Sequence, residues 1–558
     1  MSGNTVEWPE PSSQHHHPIK SRAEEALELS RRRLLVVAAL TAATFGAIGV
    51  RAATVMLSPQ ELKQPTPSLA FRPRRADIVD RHGNVVATSL PVVSLSADPA
   101  LIQEPEALVA GLLTILPDLS HEELLKDFRS SKRFVWVRRH LSPKLHQAVL
   151  RLGSPALSFV EDQWRAYPTS QLVSHIVGLS GSDGTGLRGI ERTFNERLTT
   201  DPEALTLSID LRIQHIVHRI LKEAVEEFRA IGAGALVMDV NTGELLSLAS
   251  LPDFNPNAPK DQNDPAYFNI MTLGTYEMGS VFKIFNSAMA LDSGRIRMSD
   301  TFDPTKQIRI GSHVIHDDHP MKHPMSVAEI FQHSSNIGSI QIVMKMGIDA
   351  QREFLGRLGL LQKSPIELPE VGAPLLPRPW REVNSWTISY GHGIAVSPLQ
   401  VATAAAAVIN GGVLYPPTLI KQPPGGAPTG KRVLSPQASD AMRRLFRLVV
   451  TSGTGKLAGV PGYIVGGKTG TADKLKGGAY GKHSNLASFV GAFPMHNPRY
   501  LVMVTIDEPH GTAKTYGFAT AGFTAAPVAG RIIREVGAVL GVPRANEDSP
   551  EIHKILDV

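Results

Sequence analysis

Apolar residues form one long uninterrupted run close to the N-terminus. Positions 34–50 carry no charged residue, and after Arg51 the apolar stretch continues to Leu57. A helix of about 20 apolar residues spans a bilayer, and an arginine near one end can extend its side chain to the interface. The pattern predicts a transmembrane anchor over 34–57. A cleaved signal peptide is the alternative, but Arg51 stands where such a peptide needs a small-residue cleavage site.

Basic residues flank this run unequally. The segment 15–33 carries more of them than the segment 51–70: Lys20, Arg22, Arg31, Arg32 and Arg33 precede the run, and Arg51 and Lys63 follow. An excess of Lys and Arg marks the cytoplasmic flank of a transmembrane helix. We therefore expect residues 1–33 to form a cytoplasmic tail and the residues after 57 to lie outside the cytoplasm.

The segment 71–200 mixes strand-like and helical patterns. It follows a stretch at 58–70 whose prolines predict an extended linker. His82-Gly83-Asn84 is typical of a hairpin turn between two short apolar runs. The leucine-rich periodicity at 104–155 predicts helices. We interpret 71–200 as one α+β pedestal module without chemistry of its own.

A second module begins near residue 201. An amphipathic helix covers 207–228, and a hairpin turns at Asn241-Thr242-Gly243. Three strand-like runs at 463–467, 485–493 and 500–507 precede a last helical segment at 523–541. This order predicts an α+β domain over 201–541, in which helices cover one antiparallel sheet. We interpret 542–558 as a C-terminal tail.

Composition narrows the classes of protein that fit. Apolar residues make up 42% of the chain and charged residues 20%, which excludes wholesale disorder. A net charge of +5 over 558 residues is too small to indicate a nucleic-acid partner. The chain has no cysteine, so disulfides, thiolate nucleophiles and cysteine metal sites are excluded. Such a chain is safe in an oxidising compartment.

The first candidate for chemistry is a serine and a lysine three residues apart. Gly279-Ser280-Val281-Phe282-Lys283 precedes a helical pattern. Positions i and i+3 share a helix face, so the Lys283 amine can approach the Ser280 hydroxyl and accept its proton. A lysine acts in this way only when burial or a nearby cation lowers its pKa. A capping serine beside an exposed lysine is the alternative.

Two polar motifs follow further along the chain. Ser334-Ser335-Asn336 comes after a helical segment, where its hydroxyl and amide could relay a proton and hold a carbonyl. Lys468-Thr469-Gly470-Thr471 follows the strand-like run at 463–467, and its ammonium and hydroxyl groups suit a carboxylate. A helix terminus and a polar turn are the respective alternatives.

The order S-x-x-K, S-x-N, K-T-G is far more specific than any one motif, and it is found in penicillin-binding proteins and class A β-lactamases. The chain resembles the class B penicillin-binding proteins, and best their division-specific (FtsI) branch. Further similar stretches are 74–87, 186–195, 242–257, 390–404 and 451–458. The chain departs from the family pattern at Ala76, where glycine is common, and at Met278, where proline is common.

The resemblance implies a role for each motif residue. Ser280 would be the nucleophile that attacks the D-Ala–D-Ala amide of a peptidoglycan stem peptide. The other implied roles are Lys283 as general base, Ser334 as proton relay, Asn336 as holder of the substrate amide, Lys468 with Thr469, Gly470 and Thr471 as the carboxylate site, and the backbone amides of Ser280 and Thr471 as the oxyanion hole. Neither a metal nor another cofactor is implied.

The resemblance also implies a place and partners. We expect a septal transpeptidase in the bacterial inner membrane, with a periplasmic catalytic domain and β-lactams as covalent inhibitors. A polytopic septal glycosyltransferase and other division proteins are the implied partners. The elongation-specific transpeptidase, a carboxypeptidase or β-lactamase, and a non-catalytic β-lactam sensor stay open as alternatives. No counterpart of the deacylating glutamate of class A β-lactamases is evident, which favours a transferase.

A polar cluster within 313–323 offers a competing interpretation. It holds four histidines and two aspartates: His313, His316, Asp317, Asp318, His319 and His323. Imidazole and carboxylate groups can bind zinc or iron, although no single ligand spacing dominates here. The same stretch also fits a hairpin with a polar turn. Three lysines that follow the third motif, Lys474, Lys476 and Lys482, predict a solvated rim.

Overall fold

The computed structural model describes residues 22–57 and 74–557, apart from positions 262, 312, 424, 427, 428, 477 and 478. Most of the predicted cytoplasmic tail and almost all of the predicted linker lie outside the described residues. The chain divides into two compact units, residues 1–70 and 71–558.

The described part of the first unit is one helix, α1 (Arg22–Leu57). Its apolar portion, Ser30–Arg51, is long and apolar enough to cross a membrane by length and composition. The predicted helix over 34–57 is therefore present. It begins earlier than predicted, because the basic residues at 31–33 continue the same helix.

The second unit opens with a small sheet and several short helices. In chain order its elements are β1 (Ile78–Val79), β2 (Val85–Ala97), α2 (Pro105–Ile115), α3 (His121–Phe128), β3 (Val135–Leu141), α4 (Pro143–Leu150), β4 (Leu157–Ala166), α5 (Ser174–Val177), β5 (Leu179–Ser180), β6 (Gly186–Arg188), α6 (Gly189–Thr193), α7 (Asn195–Thr200) and β7 (Leu205–Thr206). The order β3-β2-β1-β7 builds the sheet, and β4 pairs with β2 from Thr88 to Ala97. The predicted turn at 82–84 joins β1 to β2.

Two sequence interpretations of this region need correction. The segment 104–155 is not helical throughout, because β3 lies between α3 and α4. Its residues alternate, so that Val135 and Val137 are buried while their neighbours are partly exposed. The pedestal sheet also continues beyond residue 200, because β7 pairs in parallel with β1.

A buried ionic cluster connects distant segments of the pedestal. Glu191 is fully buried, and its two carboxylate oxygens accept hydrogen bonds from Arg75 Nε at 2.5 Å and Arg165 Nε at 2.6 Å. Arg75 also donates to the Gly184 and Glu191 carbonyls. One buried carboxylate thus holds two guanidinium groups that lie 90 residues apart in the chain.

The larger domain follows. Its elements are α8 (Leu211–Phe228), β8 (Gly232–Asp239), β9 (Leu245–Leu251), α9 (Lys283–Asp292), β10 (Thr301–Phe302), β11 (Ile308–Ile310), β12 (His313–Ile315), β13 (Met325–Ser326), α10 (Val327–His333), α11 (Asn336–Met346), α12 (Ile348–Arg357), α13 (Glu382–Ile388), α14 (Pro398–Ile409), β14 (Val413–Leu414), β15 (Lys431–Arg432), α15 (Pro436–Ser452), β16 (Gly466–Lys476), β17 (Ala479–Phe493), β18 (Tyr500–Asp507), α16 (Ala525–Val539) and α17 (Pro550–Leu556).

Its main sheet is antiparallel, in the order β16-β17-β18-β8-β9. Strand β18 shows how the layers form. Val502, Val504 and Ile506 pack in the core that includes α8 and α16, whereas Leu501 and Met503 face the core on the other side. Because both faces of the strand are covered, it is apolar at almost every position. The predicted helix-covered antiparallel sheet is confirmed.

The last residues are not a simple tail. Residues 550–556 form α17, in which Ile552 and Leu556 are buried in the main core. Two apolar residues four positions apart share one face of a helix, which gives α17 a stripe to pack. Arg444 Nε of α15 donates to the Ile555 carbonyl at 3.2 Å and holds the helix in place.

Candidate active site

The serine and lysine of the first motif meet. Ser280 lies on the 3-10 turn Gly279–Phe282, and Lys283 is the first residue of α9. Lys283 Nζ lies 2.8 Å from Ser280 Oγ, so the contact expected from i,i+3 spacing is present. Lys283 is 1% exposed, whereas Ser280 is partly exposed. The hydroxyl is open to a substrate, and its neighbouring amine is shielded from water.

Glycines bring this turn against the sheet. Gly279 has φ +52°, and a Cβ there would lie 2.7 Å from the Thr471 carbonyl oxygen. A Cβ on Gly470 of β16 would lie 2.5 Å from the Met278 carbonyl oxygen. Such distances are too short for any side chain, so both positions require glycine. Backbone-to-backbone contact therefore sets the separation between the Ser280 turn and β16.

The second motif completes the surroundings of the lysine. Ser334 ends α10 in the left-handed region, with φ 62°, and Asn336 begins α11. Lys283 Nζ lies 3.1 Å from Ser334 Oγ, 2.5 Å from the Ser334 carbonyl oxygen and 2.7 Å from Asn336 Oδ1. With Ser280 Oγ this makes four oxygen neighbours. An ammonium has only three N–H groups, so a hydroxyl can donate to the nitrogen once the amine is neutral.

Burial lowers the pKa of Lys283 to about 7, although the charges of Asp317 and Asp318 act in the opposite direction. Removal from water disfavours the charged form of a lysine. The pKa of Lys468 is also lowered, first by burial and then by the positive charge of Lys283. Burial, more than a neighbouring cation, thus prepares Lys283 to accept a proton near neutral pH.

Lys468 reaches the same centre from the sheet. The side chain is fully buried on β16, and its Nζ donates to Ser334 Oγ at 3.0 Å and to the Thr469 carbonyl at 3.2 Å. Its ammonium also lies 5.8 Å from the centre of the Phe331 ring. The Ser334 hydroxyl therefore bridges the two lysines.

The hydroxyl groups of the third motif have partners of their own. Thr469 Oγ1 lies 2.6 Å from Thr454 Oγ1, and Thr471 Oγ1 accepts a hydrogen bond from the Ala521 backbone N–H at 3.0 Å. Strand β16 includes the motif rather than ending before it, because its pairing with β17 continues through Lys468↔Val490 and Thr471↔Ala487. Sequence reasoning did not assign Thr454 to the site, although its stretch, 451–458, belongs to the family-like segments.

Asn336 has two contacts within the protein. Its Oδ1 contacts Lys283, and its Nδ2 donates to the His316 carbonyl at 3.0 Å. One N–H of the amide group is left for a further acceptor. In this structure the side chain orients the lysine, and contact with a substrate amide stays a prediction.

The predicted hairpin is present as β11 and β12, and the polar cluster at 313–323 covers β12 and the loop after it. Among the side chains that the structure describes, no three His, Asp or Glu groups converge as metal ligands. Asp317 instead bonds to Ser335 and to the start of α11. His323 Nδ1 donates to the Pro324 carbonyl at 2.8 Å. Asp317 is therefore a site residue that sequence reasoning took for a candidate metal ligand.

Lys474 is not a solvated rim residue. Its Nζ donates to Asp507 at 2.6 Å and to Glu508 at 3.1 Å, and its side chain is 20% exposed. These ion pairs join β16 to the end of β18. The side chains of Lys476 and Lys482 lie outside the described part of the structure.

Family models match both modules of this chain. The penicillin-binding protein transpeptidase domain matches residues 233–534, more than half of the chain. The chain belongs to the penicillin-binding protein family. The penicillin-binding protein dimerisation domain matches residues 71–210, so this penicillin-binding protein carries both modules in the expected order.

Named relatives and a solved structure support the same family. The protein is 37% identical over 486 residues to "Probable peptidoglycan D,D-transpeptidase FtsI" of Caulobacter vibrioides, covering 85% of this chain and 82% of that relative. It is 29% identical over 511 residues to "Peptidoglycan D,D-transpeptidase FtsI" of Escherichia coli K12, covering 85% and 84%. It shares the fold of penicillin-binding protein 3 of Mycobacterium tuberculosis, solved in complex with aztreonam, with a TM-score of 0.67 and 24% identity over 87% of this chain and 99% of that one. The protein is thus a class B penicillin-binding protein, among the peptidoglycan D,D-transpeptidases.

Proposed function

We propose that this penicillin-binding protein cross-links peptidoglycan through a covalent acyl-enzyme on Ser280. The observation that carries the proposal is the position of Lys283 Nζ. It lies 2.8 Å from Ser280 Oγ and 3.1 Å from Ser334 Oγ, and its pKa is lowered to about 7. A nucleophilic serine needs an adjacent base of this kind.

In the acylation step, Ser280 Oγ attacks the carbonyl carbon between the two terminal D-alanines of a stem peptide. Lys283 accepts the hydroxyl proton, and Ser334 passes a proton to the leaving D-alanine amine. The hydrogen bonds that Ser334 accepts from both lysines support this relay. The bond between the D-alanines breaks, free D-alanine leaves, and the rest of the stem peptide stays on Ser280 as an ester.

The sheet edge and the Ser280 turn hold the substrate. Lys468, Thr469 and Thr471 supply positive charge and hydroxyl groups for the terminal carboxylate, and the backbone N–H groups of Ser280 and Thr471 form the oxyanion hole. The close approach of this turn to β16 at Gly470 supports the last assignment. Loss of one such donor typically costs about 3–4 kcal/mol of transition-state stabilisation.

An amine from a neighbouring stem then attacks the ester and forms the cross-link. β-Lactams resemble the D-Ala–D-Ala dipeptide and acylate the same serine. The sequence similarity to peptidoglycan D,D-transpeptidases favours transfer to an amine over hydrolysis.

We also propose a septal role in the inner membrane. The FtsI relatives support division, and the apolar portion of α1 together with the basic flank at 15–33 supports a single anchor with a cytoplasmic N-terminus. Residues 71–200 then form the pedestal that binds a polytopic glycosyltransferase and other division proteins, and 201–541 form the periplasmic catalytic domain.

The acyl-enzyme is tested by intact-protein mass spectrometry of the full chain in detergent after incubation with a β-lactam. We expect one stable adduct on the wild-type protein and none on Ser280→Ala. An adduct on Ser280→Ala would refute the nucleophile, and hydrolysed drug without an adduct would favour the hydrolase.

The septal role is tested by depletion of the protein in the host cell. Long filaments without septa are the expected result. Rounded cells that still divide would assign the protein to elongation instead.

A further inference from the structure

Asp317 accepts three hydrogen bonds from the second motif and the residue that follows it. Its Oδ2 accepts from Ser335 Oγ at 2.6 Å, and its Oδ1 accepts from the backbone N–H groups of Asn336 at 2.5 Å and Ile337 at 3.0 Å. The residue is only 9% exposed. Both oxygens of a nearly buried carboxylate are therefore committed to one short segment of chain.

These bonds determine the shape of the segment that faces Lys283. Ser335 Oγ accepts from the Gly338 N–H at 2.9 Å, which caps α11, while it donates to Asp317. A carboxylate at the first N–H groups of a helix satisfies donors that have no partner within the helix. The neighbouring His316 carbonyl accepts from Asn336 Nδ2, so residues 316 and 317 hold both the backbone and the side chain of Asn336.

The segment that Asp317 holds also contacts Lys283. Ser334 and Asn336 stand on either side of the residue that Asp317 holds, and both contact Lys283 Nζ. Ser334 is in the left-handed region, a backbone conformation that a non-glycine residue keeps only when its surroundings enforce it. Asp317 is the buried group that ties this turn to the β11–β12 hairpin.

We propose that Asp317 is a positioning residue for acylation: its buried carboxylate fixes the 334–336 turn, so that the Ser334 hydroxyl and the Asn336 amide stay on Lys283. This inference rests on the proposed acyl-enzyme function. It gives one residue of the polar cluster at 313–323, Asp317, a part in the reaction.

The charge of Asp317 also acts on the base. Asp317 and Asp318 both raise the pKa of Lys283 against the larger effect of burial. Other charged or titratable groups near this centre are Lys468 and His392, which interact with Lys283, and Glu277 and Asp473, which interact with His392. His316 and Lys322 line a cavity of about 280 Å³ together with Asp317. Removal of the Asp317 carboxylate should therefore lower the pKa of Lys283 further. The acylation rate should then begin to increase at a lower pH than in the wild type.

The test measures the second-order rate constant for acylation of the full chain in detergent by a fluorescent penicillin, across a range of pH. Asp317→Ala removes all three hydrogen bonds, and Asp317→Asn keeps two acceptor bonds without the charge. Asp318→Ala is the matched control, because it removes an exposed carboxylate of the same charge from the next position. Saturating label gives the fraction of competent protein for every variant.

We expect Asp317→Ala to lose about 10- to 100-fold in rate with full labelling at saturation, since a displacement of about 1 Å at a reacting group can cost about 100-fold. Asp317→Asn should recover most of the lost acylation rate at the pH where its rate is highest. Its rate should begin to rise at a lower pH than that of the wild type. At a pH well above 7, where Lys283 is neutral, Asp318→Ala should stay within about twofold of the wild type, because it shares only the effect of charge on the pKa of Lys283 and none of the hydrogen bonds. An Asp317→Ala rate equal to that of Asp318→Ala overturns the proposal.

If Asp317→Ala fails to fold, a second variant tests the positioning role. Ser335→Ala removes one of the three bonds, and its rate should fall by about 3- to 10-fold, the equivalent of one hydrogen bond. An unchanged rate in Ser335→Ala would then contradict the positioning role. Failure of the proposed function is distinct, because it appears as an unlabelled wild type or a labelled Ser280→Ala.

Discussion

Lys283 and Lys468 donate hydrogen bonds to the same atom, the hydroxyl oxygen of Ser334, at 3.1 and 3.0 Å. Both side chains are buried, at 1% and 0% exposure. Two ammonium groups on one hydroxyl repel each other where water does not screen them. The pair is therefore expected to hold fewer protons at neutral pH than two surface lysines would.

The first prediction concerns the pH dependence of acylation. In the proposed mechanism Lys283 must be neutral to accept the Ser280 proton, and burial lowers its pKa to about 7. The rate of labelling by a fluorescent penicillin should therefore rise as the pH passes through about 7 and level off above it. Stopped-flow or gel-based labelling rates over a pH series check this. A rate that rises only near the pKa of an exposed lysine, about 10.4, would contradict a base whose pKa burial has lowered.

The second prediction concerns stability. Because the pKa of Lys283 is lower in the folded protein than in the unfolded chain, the unfolded chain binds more protons between these two values. The free energy of unfolding should thus increase as the pH rises from about 7 toward about 10.4. Lys283→Met removes this contribution, so its melting temperature should rise less with pH than that of the wild type. Parallel melting curves for the two proteins at every pH would contradict the assignment.

The third prediction concerns the glycine of the third motif. In Gly470→Ala the new Cβ would lie 2.5 Å from the Met278 carbonyl oxygen and 2.9 Å from the Val281 nitrogen, so the Ser280 turn must move away from β16. We expect loss of labelling and a destabilisation of about 1–3 kcal/mol. Gly356→Ala is the control, since its Cβ would make only an ordinary contact at 3.7 Å on a helix. Thermal unfolding and penicillin labelling of both variants give the comparison.

The fourth prediction concerns the pedestal. Glu191→Ala leaves Arg75 and Arg165 buried without their shared carboxylate. Removal of one partner from a buried ion pair typically costs about 3–5 kcal/mol, so the pedestal should unfold at markedly lower denaturant concentration. Asp118→Ala breaks the exposed pair with Arg138 and should leave the denaturation midpoint nearly unchanged. Equal midpoints for the two variants would show that the buried cluster adds no stability.

The parts of the site that local spacing determines could be predicted from the sequence. Ser280 and Lys283 are three residues apart at the start of a helix, so their contact depends on helical geometry alone. The strand character around Lys468 was also evident, although the strand begins at Gly466 and continues through the motif. The polar residues of the motif pair with β17 as regularly as the apolar residues that follow in the sheet.

Contacts that depend on the tertiary fold could not be predicted in this way. Thr454 reaches Thr469 across 15 positions, and Asp317 reaches Ser335 across 18. Neither pair has a helical or strand spacing, and Asp317 stood among histidines whose composition is typical of metal sites. Likewise, strand β3 within a leucine-rich helical region was missed, because its pairing with β2 outweighs local periodicity.

The contact of the Ser280 turn with β16 through Gly279 and Gly470 limits how this enzyme can evolve under antibiotic selection. The separation between the Ser280 turn and β16 is set by main-chain contacts, so no substitution at these two glycines can change it gradually. Variants that exclude a drug but keep the natural substrate should therefore arise away from this contact, for instance in the strands of the β11–β12 hairpin, and not at Asp317 or the motif residues. Resistance in this protein would be a property of its periphery, with an unchanged centre.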